Sequence, residues 1–358
     1  MRDLLEIQKQ LLPDLMETLK RRYTILHQIQ LSDIIGRRTL AASLDMTERV
    51  LRAETDLLKS QGLIEIESVG MRISDTGRKL LDLLEPVAKS LFGLDDLEEK
   101  IRLSYGLKKV IVVPGDCEAS TFAKRELGRA GAKALLSVLY ADDTVAVTGG
   151  STLYELAEQI TAPLSVSYRG ALIVPARGGL GESVEFQANT IASTMAKRIG
   201  AHYRLLHVPD LLSEEAYQSL AHEPNISEIV QIIRRSRIIV HGIGDALEMT
   251  RRRRLDEGTV AKIKDAGAVA ESFGHYFNEQ GEVVHSMLTM GLRLEDIVRT
   301  EIVIGIAGGK RKAKAIHAVL RFGQEDILVI DEAAAAEIVK QIDEQNAAAT
   351  QSSHYGEH

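Results

Sequence analysis

Three glycine turns hold the residues of this chain best suited to binding an anion. Gly149-Gly150-Ser151-Thr152 follows the apolar run 144–148 and opens a helical stretch. Paired glycines let the backbone approach an anion closely. A helix N-terminus presents free N–H groups and the positive end of its dipole, and two hydroxyls add donors. Gly308-Gly309-Lys310-Arg311-Lys312 repeats the arrangement after another apolar run, now with cationic side chains. A third turn sets Arg177 beside Gly178 and Gly179 within residues 174–181. One glycine after a buried strand is more often a plain strand-to-helix turn. Three anion-suited turns together point to a ligand carrying phosphate at one or both ends.

Other polar residues suit the body of such a ligand. Gln187 and Asn189 can hydrogen-bond sugar hydroxyls or cap the next helix, and Glu271 can accept from a hydroxyl or sit as a surface carboxylate. The run Arg251 to Arg254 reads as a solvated loop with one member reaching a phosphate. There is no dinucleotide fingerprint and no Gly-x-x-x-x-Gly-Lys-Ser/Thr loop, which argues against nucleotide hydrolysis. Phosphosugar isomerases and deaminases use similar cradles with an added general base. The candidates here, His241, Asp245, Glu271 and His275, form no strong acid–base set. No residue is given a catalytic role.

A second chemistry lies in residues 36–62. Leu40, Ala41 and Leu44 fall at helical spacing over residues 37–44, Asp45 and Met46 make a tight turn, and Thr47 stands where a helix N-cap belongs. In the following helix Val50, Leu51, Leu57 and Leu58 form an apolar stripe with Glu54 at its edge. Glu48, Arg49, Arg52, Thr55 and Lys59 form the outer face. An arginine-bearing outer face on the second helix suits major-groove reading of double-stranded DNA. Arg49 and Arg52 are the candidate base contacts. Thr47, Lys59, Arg37, Arg38 and the run Lys20-Arg21-Arg22 are candidate phosphate contacts, or else solvated helix faces.

The surrounding pattern positions both sets. A helix over residues 14–31 precedes the motif. Residues 63–67 and 71–73, around Ser68-Val69-Gly70, read as a β-hairpin, and a helix over 77–92 follows. Helix, helix-turn-helix, wing and helix make a winged-helix domain over residues 1–93, with an extra N-terminal helix before Pro13. A charged connector, 94–100, leads into apolar strands at 110–113, 144–148, 171–174, 203–208, 237–241, 301–307 and 326–330. Helical stretches such as 126–139, 154–160 and 313–319 alternate with them. That alternation predicts a mostly parallel sheet covered on both faces, forming a ligand-sensing domain over 94–340. Residues 341–358 read as a frayed helix end and a disordered tail.

Composition narrows the class further. Of the 358 residues, 45% are hydrophobic and 27% charged, ordinary for a globular protein. No apolar run approaches the roughly 20 residues needed to cross a bilayer, and the start lacks a signal-peptide core, so the cytoplasm is the expected compartment. A lone cysteine, Cys117, argues against a disulfide framework and against a metal cluster. Net charge is −7, yet residues 1–93 balance 14 Lys/Arg against 14 Asp/Glu, and within 20–64 there are 8 basic and 5 acidic residues. Basic charge is concentrated around the helix-turn-helix, where DNA binding needs it.

The segments VAVTGGST, LIVPARGGLGESVEFQANTIAS, YRLLHVP, VHGIGDA, AVAESFGHYFN and GIAGGKRKAKAI resemble those of the SorC/DeoR-type sugar-responsive regulators. Within them they are most similar to the branch governing central glycolytic genes in Gram-positive bacteria. The resemblance runs from the N-terminal LLPDL and IGRRTLAASL segments to about residue 335. It implies a repressor of an operon for the lower glycolytic enzymes, released by fructose 1,6-bisphosphate. It further implies a sensor domain similar to phosphosugar isomerases, dimers assembling into a tetramer on operator DNA, and no cofactor. Ser151, Thr152 and Lys312 match phosphate-binding positions of the family, and Arg177, Gln187, Arg252 and Glu271 match further ligand contacts. Position 151 holds Ser where the best-known member carries Thr, which keeps the hydroxyl donor. The alternatives are a regulator answering to a different phosphosugar and a phosphosugar-converting enzyme that carries a winged helix.

Overall fold

The computed structural model describes the backbone of residues 10–162, 166–179 and 183–354, and their side chains apart from residues 86 and 348–354. The chain divides into two compact units, Met1–Asp96 and Leu97–His358. Most of the extra helix expected over residues 1–13 lies outside the described residues. Among them, no helix is long and apolar enough to cross a membrane.

In the first unit α1 (Pro13–Leu31) is followed by α2 (Arg37–Ser43) and α3 (Glu48–Ser60). The hairpin of β1 (Ile64–Glu67) and β2 (Gly70–Ile73) comes next, then α4 (Asp75–Phe92). This is the winged helix-turn-helix that the sequence predicts. The tight turn uses Asp45 in a left-handed conformation, φ 51°, which a short polar side chain tolerates better than most. Thr47 then caps α3, its hydroxyl accepting from the Val50 N–H at 3.3 Å. In the wing Ile64 pairs with Ile73 and Glu65 with Arg72, apolar side chains inward and charged ones outward.

The buried stripe of α3 departs from the sequence expectation. Leu51, Thr55 and Leu58 are buried, while Val50 is 41% exposed. Val50 lies about 100° round the helix from Leu51, off the line through 51, 55 and 58. Thr55 turns inward rather than outward because its hydroxyl donates to the Arg52 carbonyl at 3.1 Å, so no unmet donor enters the core.

The second unit is built on a seven-stranded sheet. Its strands are β3 (Lys109–Val113), β4 (Thr144–Val147), β5 (Leu172–Pro175), β6 (His202–Tyr203) and β7 (Ile238–Gly242). After them β8 (Gly244–Asp245), β9 (Ala268–Ser272), β10 (His275–Asn278) and β11 (Val283–Ser286) form a separate antiparallel sheet. The chain then returns with β12 (Ile302–Ile306) and β13 (Ile327–Asp331). The large sheet runs β3-β13-β12-β7-β4-β5-β6 with every neighbouring pair parallel. Successive side chains alternate between its faces: Val145 and Val147 pack into one core, Ala146 into the other. β6 is shorter than the expected 203–208, because the chain then leaves the sheet and bridges Gly179 through Pro209. The C-terminal helix Glu332–His354 continues past residue 341, where a frayed end was expected. Ile338 and Ile342 are buried on it, and the Ala, Gln and Glu residues beyond favour helix by intrinsic propensity. Residues 355–358 of the expected tail lie outside the described residues.

Topology marks the place for a ligand. The chain steps from β4 to β5 to β6 in one direction, returns to β7 beside β4, then proceeds to β12 and β13 in the other. Open α/β sheets bind ligands beyond the strand ends where the order reverses, here between β4 and β7. The register sets Val147 beside Val240 and Pro175, and Gly242 beside Ile306. The turns after β4, β5, β7 and β12 therefore open at one edge.

Candidate functional site

Those turns line one cleft. Gly149, Gly150, Ser151 and Thr152 contribute from the turn after β4. Gly150 caps the helix Ser151–Gln159 with φ 117°, a region glycine adopts freely. The first intrahelical bond comes from Tyr154 N–H to the Gly150 carbonyl, leaving the N–H groups of 151–153 without a helical acceptor. Lys312 enters from the turn after β12. That turn is tied down by buried Asp331, whose Oδ2 accepts from the N–H groups of Gly309 and Cys117, each at 2.8 Å. Lys310 reaches Glu337 at 3.9 Å and Arg311 pairs with Glu118 at 3.0 Å. Lys312 has no carboxylate within ion-pair distance among the described residues, and it is the cation of the three that lines the cleft.

Arg177, Arg252 and Glu271 supply the remaining charges of the lining. Arg177 Nε lies 3.3 Å from Asp210 and its Nη1 3.4 Å from Glu271 Oε1. Arg253 Nη2 donates to the same Oε1 at 2.7 Å, as does the Gly274 N–H at 2.7 Å. Burial by itself would raise the Glu271 carboxyl. The Arg253 and Arg177 charges, with the hydrogen bonds from Arg253 and Gly274, outweigh it and hold the group down to about 2. Glu271 is therefore a buried, ionised carboxylate rather than the surface group of the alternative reading.

The run Arg251 to Arg254 is not a solvated loop. Arg252 ends the helix Ala246–Arg252 and lines the cleft, whereas Arg253 turns inward, 5% exposed, against Glu271, Asp210 and Tyr276. Gly178 and Gly179 do not line the cleft. A Cβ on Gly178 would lie 2.5 Å from the Pro209 carbonyl oxygen, so this glycine permits close approach of two backbone segments. Gln187 is likewise outside the lining, at the N-cap position of the helix Ala188–Ile199 without capping it through its side chain. Asn189 is spent on Leu206, donating to its carbonyl at 3.0 Å and accepting from its N–H at 3.1 Å.

Of the acid–base candidates only Glu271 reaches the cleft. His241 is fully buried, its Nδ1 2.9 Å from Ser272 Oγ and its Nε2 3.2 Å from Glu325. Asp245 caps a helix through the Glu248 N–H, and His275 meets Ser286 Oγ at 2.8 Å. The sequence reading missed Gly242, Gly244, Met249 and Phe273, which also line the cleft. Phe273 sits with φ 56° at the tip of the β9–β10 hairpin, its ring 4.2 Å from that of His241. The preceding Ser272 and following Gly274 were the available turn signal.

On the first unit Arg49, Arg52 and Lys59 are exposed along α3, with no carboxylate at ion-pair distance among the described residues. Arg38 is exposed and lies 3.4 Å from Glu48; Arg37 is half-buried. Arg22 and Arg21, in contrast, hold Glu54 at 2.8 and 3.7 Å. These two arginines fasten α1 to α3, since Glu54 on the edge of the stripe faces α1.

Residues 18–88 match the family model of the CggR N-terminal DNA-binding domain, and residues 89–340 match a sugar-binding domain family. The chain is 47% identical over 341 residues to the central glycolytic genes regulator of Priestia megaterium, covering 95% of this chain and 99% of that one. It is 43% identical over 340 residues to the protein of the same name in Bacillus subtilis, covering 95% and 99%. A SorC-family transcriptional regulator from Enterococcus faecalis superposes with a TM-score of 0.64 at 40% identity, covering 68% of this chain and 99% of that one. The full-length sorbitol operon regulator SorC of Klebsiella pneumoniae shares the fold, with a TM-score of 0.66 at 18% identity over 85% of this chain and 94% of its own. A winged helix-turn-helix followed by a sensor unit with a cationic cleft, matched along nearly its whole length, places this chain in the central glycolytic genes regulator family, SorC-type DNA-binding transcriptional regulators with a sugar-binding domain.

Proposed function

We propose that this protein represses a central glycolytic operon and is released from its operator by fructose 1,6-bisphosphate. The observation that carries this reading is Lys312, unpaired among the described residues, beside the free helix N-terminus at Ser151–Thr152, in one cleft with Arg177 and Arg252. Donors of both kinds in a single cleft suit a sugar bearing two phosphates. Ser151, Thr152 and Lys312 hold one phosphate, Arg177 and Arg252 meet the other, and Glu271 accepts from a hydroxyl. Arg49 and Arg52 read base edges, while Thr47, Lys59, Arg37 and Arg38 contact the backbone. A single winged helix buries too little surface for strong specificity, so homodimers pair their modules and assemble into a tetramer on repeated half-sites. Bisphosphate binding favours a conformation of lower operator affinity, as linkage requires.

A thermal-shift panel of mono- and bisphosphorylated sugars tests the effector. A ligand at a hundred times its Kd stabilises by about 2.7 kcal/mol, so fructose 1,6-bisphosphate should stand clear of the monophosphates. Lys312→Ala should remove a charge-assisted contact of about 1.5–3 kcal/mol and abolish release in a gel shift, with operator binding intact. Undiminished bisphosphate binding by that variant in calorimetry would sink the cradle.

A further inference from the structure

Arg177, Asp210, Arg253 and Glu271 form a closed ring of alternating charge, all four buried, of which only Arg177 and Glu271 line the cleft. They come from separate places: the segment after β5, the segment after β6, the end of the helix Ala246–Arg252, and β9. Asp210 joins the two guanidinium groups, 3.3 Å from Arg177 Nε and 3.2 Å from Arg253 Nε. Both of its oxygens are buried yet make no hydrogen bond of good geometry. Charge is what Asp210 contributes. For packing alone, an apolar group of the same size would serve as well or better.

The contacts within the ring are lopsided. Arg253 Nη2, Gly274 N–H and Arg177 Nη1 all converge on Glu271 Oε1, at 2.7, 2.7 and 3.4 Å. Among the described residues no hydrogen bond falls on Glu271 Oε2 or Arg177 Nη2, and neither is a buried unsatisfied atom. A guanidinium beside a carboxylate frequently closes into a bidentate pair. Such a pair would join Arg177 Nη2 to Glu271 Oε2 and withdraw both from any ligand. Arg253 counters it by holding Oε1 at 2.7 Å while Arg177 Nη1 stays at 3.4 Å, and Asp210 counters it by holding the Nε edge of Arg177.

We propose that Asp210 and Arg253 are positioning residues for phosphosugar recognition, holding Arg177 and Glu271 apart so that a donor and an acceptor face the ligand side by side. This inference rests on the phosphosugar reading of the cleft. The test uses the full chain with Asp210→Asn and the charge-balanced pair Asp210→Asn/Arg253→Gln. Fructose 1,6-bisphosphate is titrated by calorimetry, melting temperature is recorded, and the sugar-free Asp210→Asn variant is crystallised. Asp210→Asn should weaken bisphosphate binding by at least about tenfold, 1.4 kcal/mol, and show Arg177 bidentate on Glu271. The double variant should recover melting temperature without recovering affinity, which a merely structural role does not allow. Affinity that returns together with melting temperature, or an Arg177 that stays in place, overturns the proposal. A wild-type chain that binds no sugar phosphate, alongside re-pairing of Arg177 in the variant, overturns the phosphosugar reading and leaves the positioning standing.

Discussion

Glu271 stays ionised where burial alone would neutralise it, and this sets how the cleft answers to pH. Its carboxyl is held down to about 2 against an ordinary value near 4.3. A depressed carboxyl contributes stability that is complete above the unfolded value and is lost as pH falls toward about 2. Between pH 8 and 5 Glu271 therefore does not titrate, whereas a sugar phosphate takes up a proton at about pH 6. Bisphosphate affinity should weaken as pH falls through about 6, with the same midpoint in wild type and Glu271→Gln. Calorimetry across that range checks it, and a midpoint that moves in Glu271→Gln contradicts it. Arg177 and Glu271 were legible as ligand contacts from family motifs. Their partners Asp210 and Arg253 were not, because ring members as far as 94 residues apart leave no local pattern.

At the scale of elements, α3 separates folding from reading. Thr47 caps the helix, so Thr47→Ala should cost about 1 kcal/mol of stability. Arg49 is exposed and its side chain makes no hydrogen bond or ion pair among the described residues, so Arg49→Ala should change stability by no more than about 0.5 kcal/mol. It should weaken operator binding by about 1–3 kcal/mol and relax specificity at the contacted base. Thermal unfolding and gel-shift titration distinguish the two, and equal loss of stability in both variants would make Arg49 structural. The cap, the turn and the wing were readable because each depends on neighbours a few residues away. The rotational phase of α3 was not, since Val50 and Thr55 exchange their expected sides according to what α1 and the wing present.

For the whole molecule, each compact unit carries one function. Every residue lining the cleft lies within Leu97–His358, and the arginine face of α3 lies within Met1–Asp96. A fragment of residues 97–358 should bind fructose 1,6-bisphosphate as the full chain does and bind no operator. Loss of sugar binding in a folded fragment would require a contribution from the first unit. Operator binding by the full chain should fall steeply with salt despite the net charge of −7, because the basic excess sits beside the helix-turn-helix.

The sequence by itself determined the winged helix, the alternation that makes a parallel sheet, and the glycine turns that end its strands. These rest on periodicity, capping and turn chemistry, which act over a few residues. Only the tertiary structure decided that the turns after β4, β5, β7 and β12 share one edge. It also decided that Lys312 rather than Lys310 or Arg311 has no carboxylate partner among the described residues, and that Arg252 meets the cleft while Arg253 turns inward. Burial and ion pairing are settled by residues distant in the chain, and four consecutive arginines are alike until the fold gives each a different neighbour.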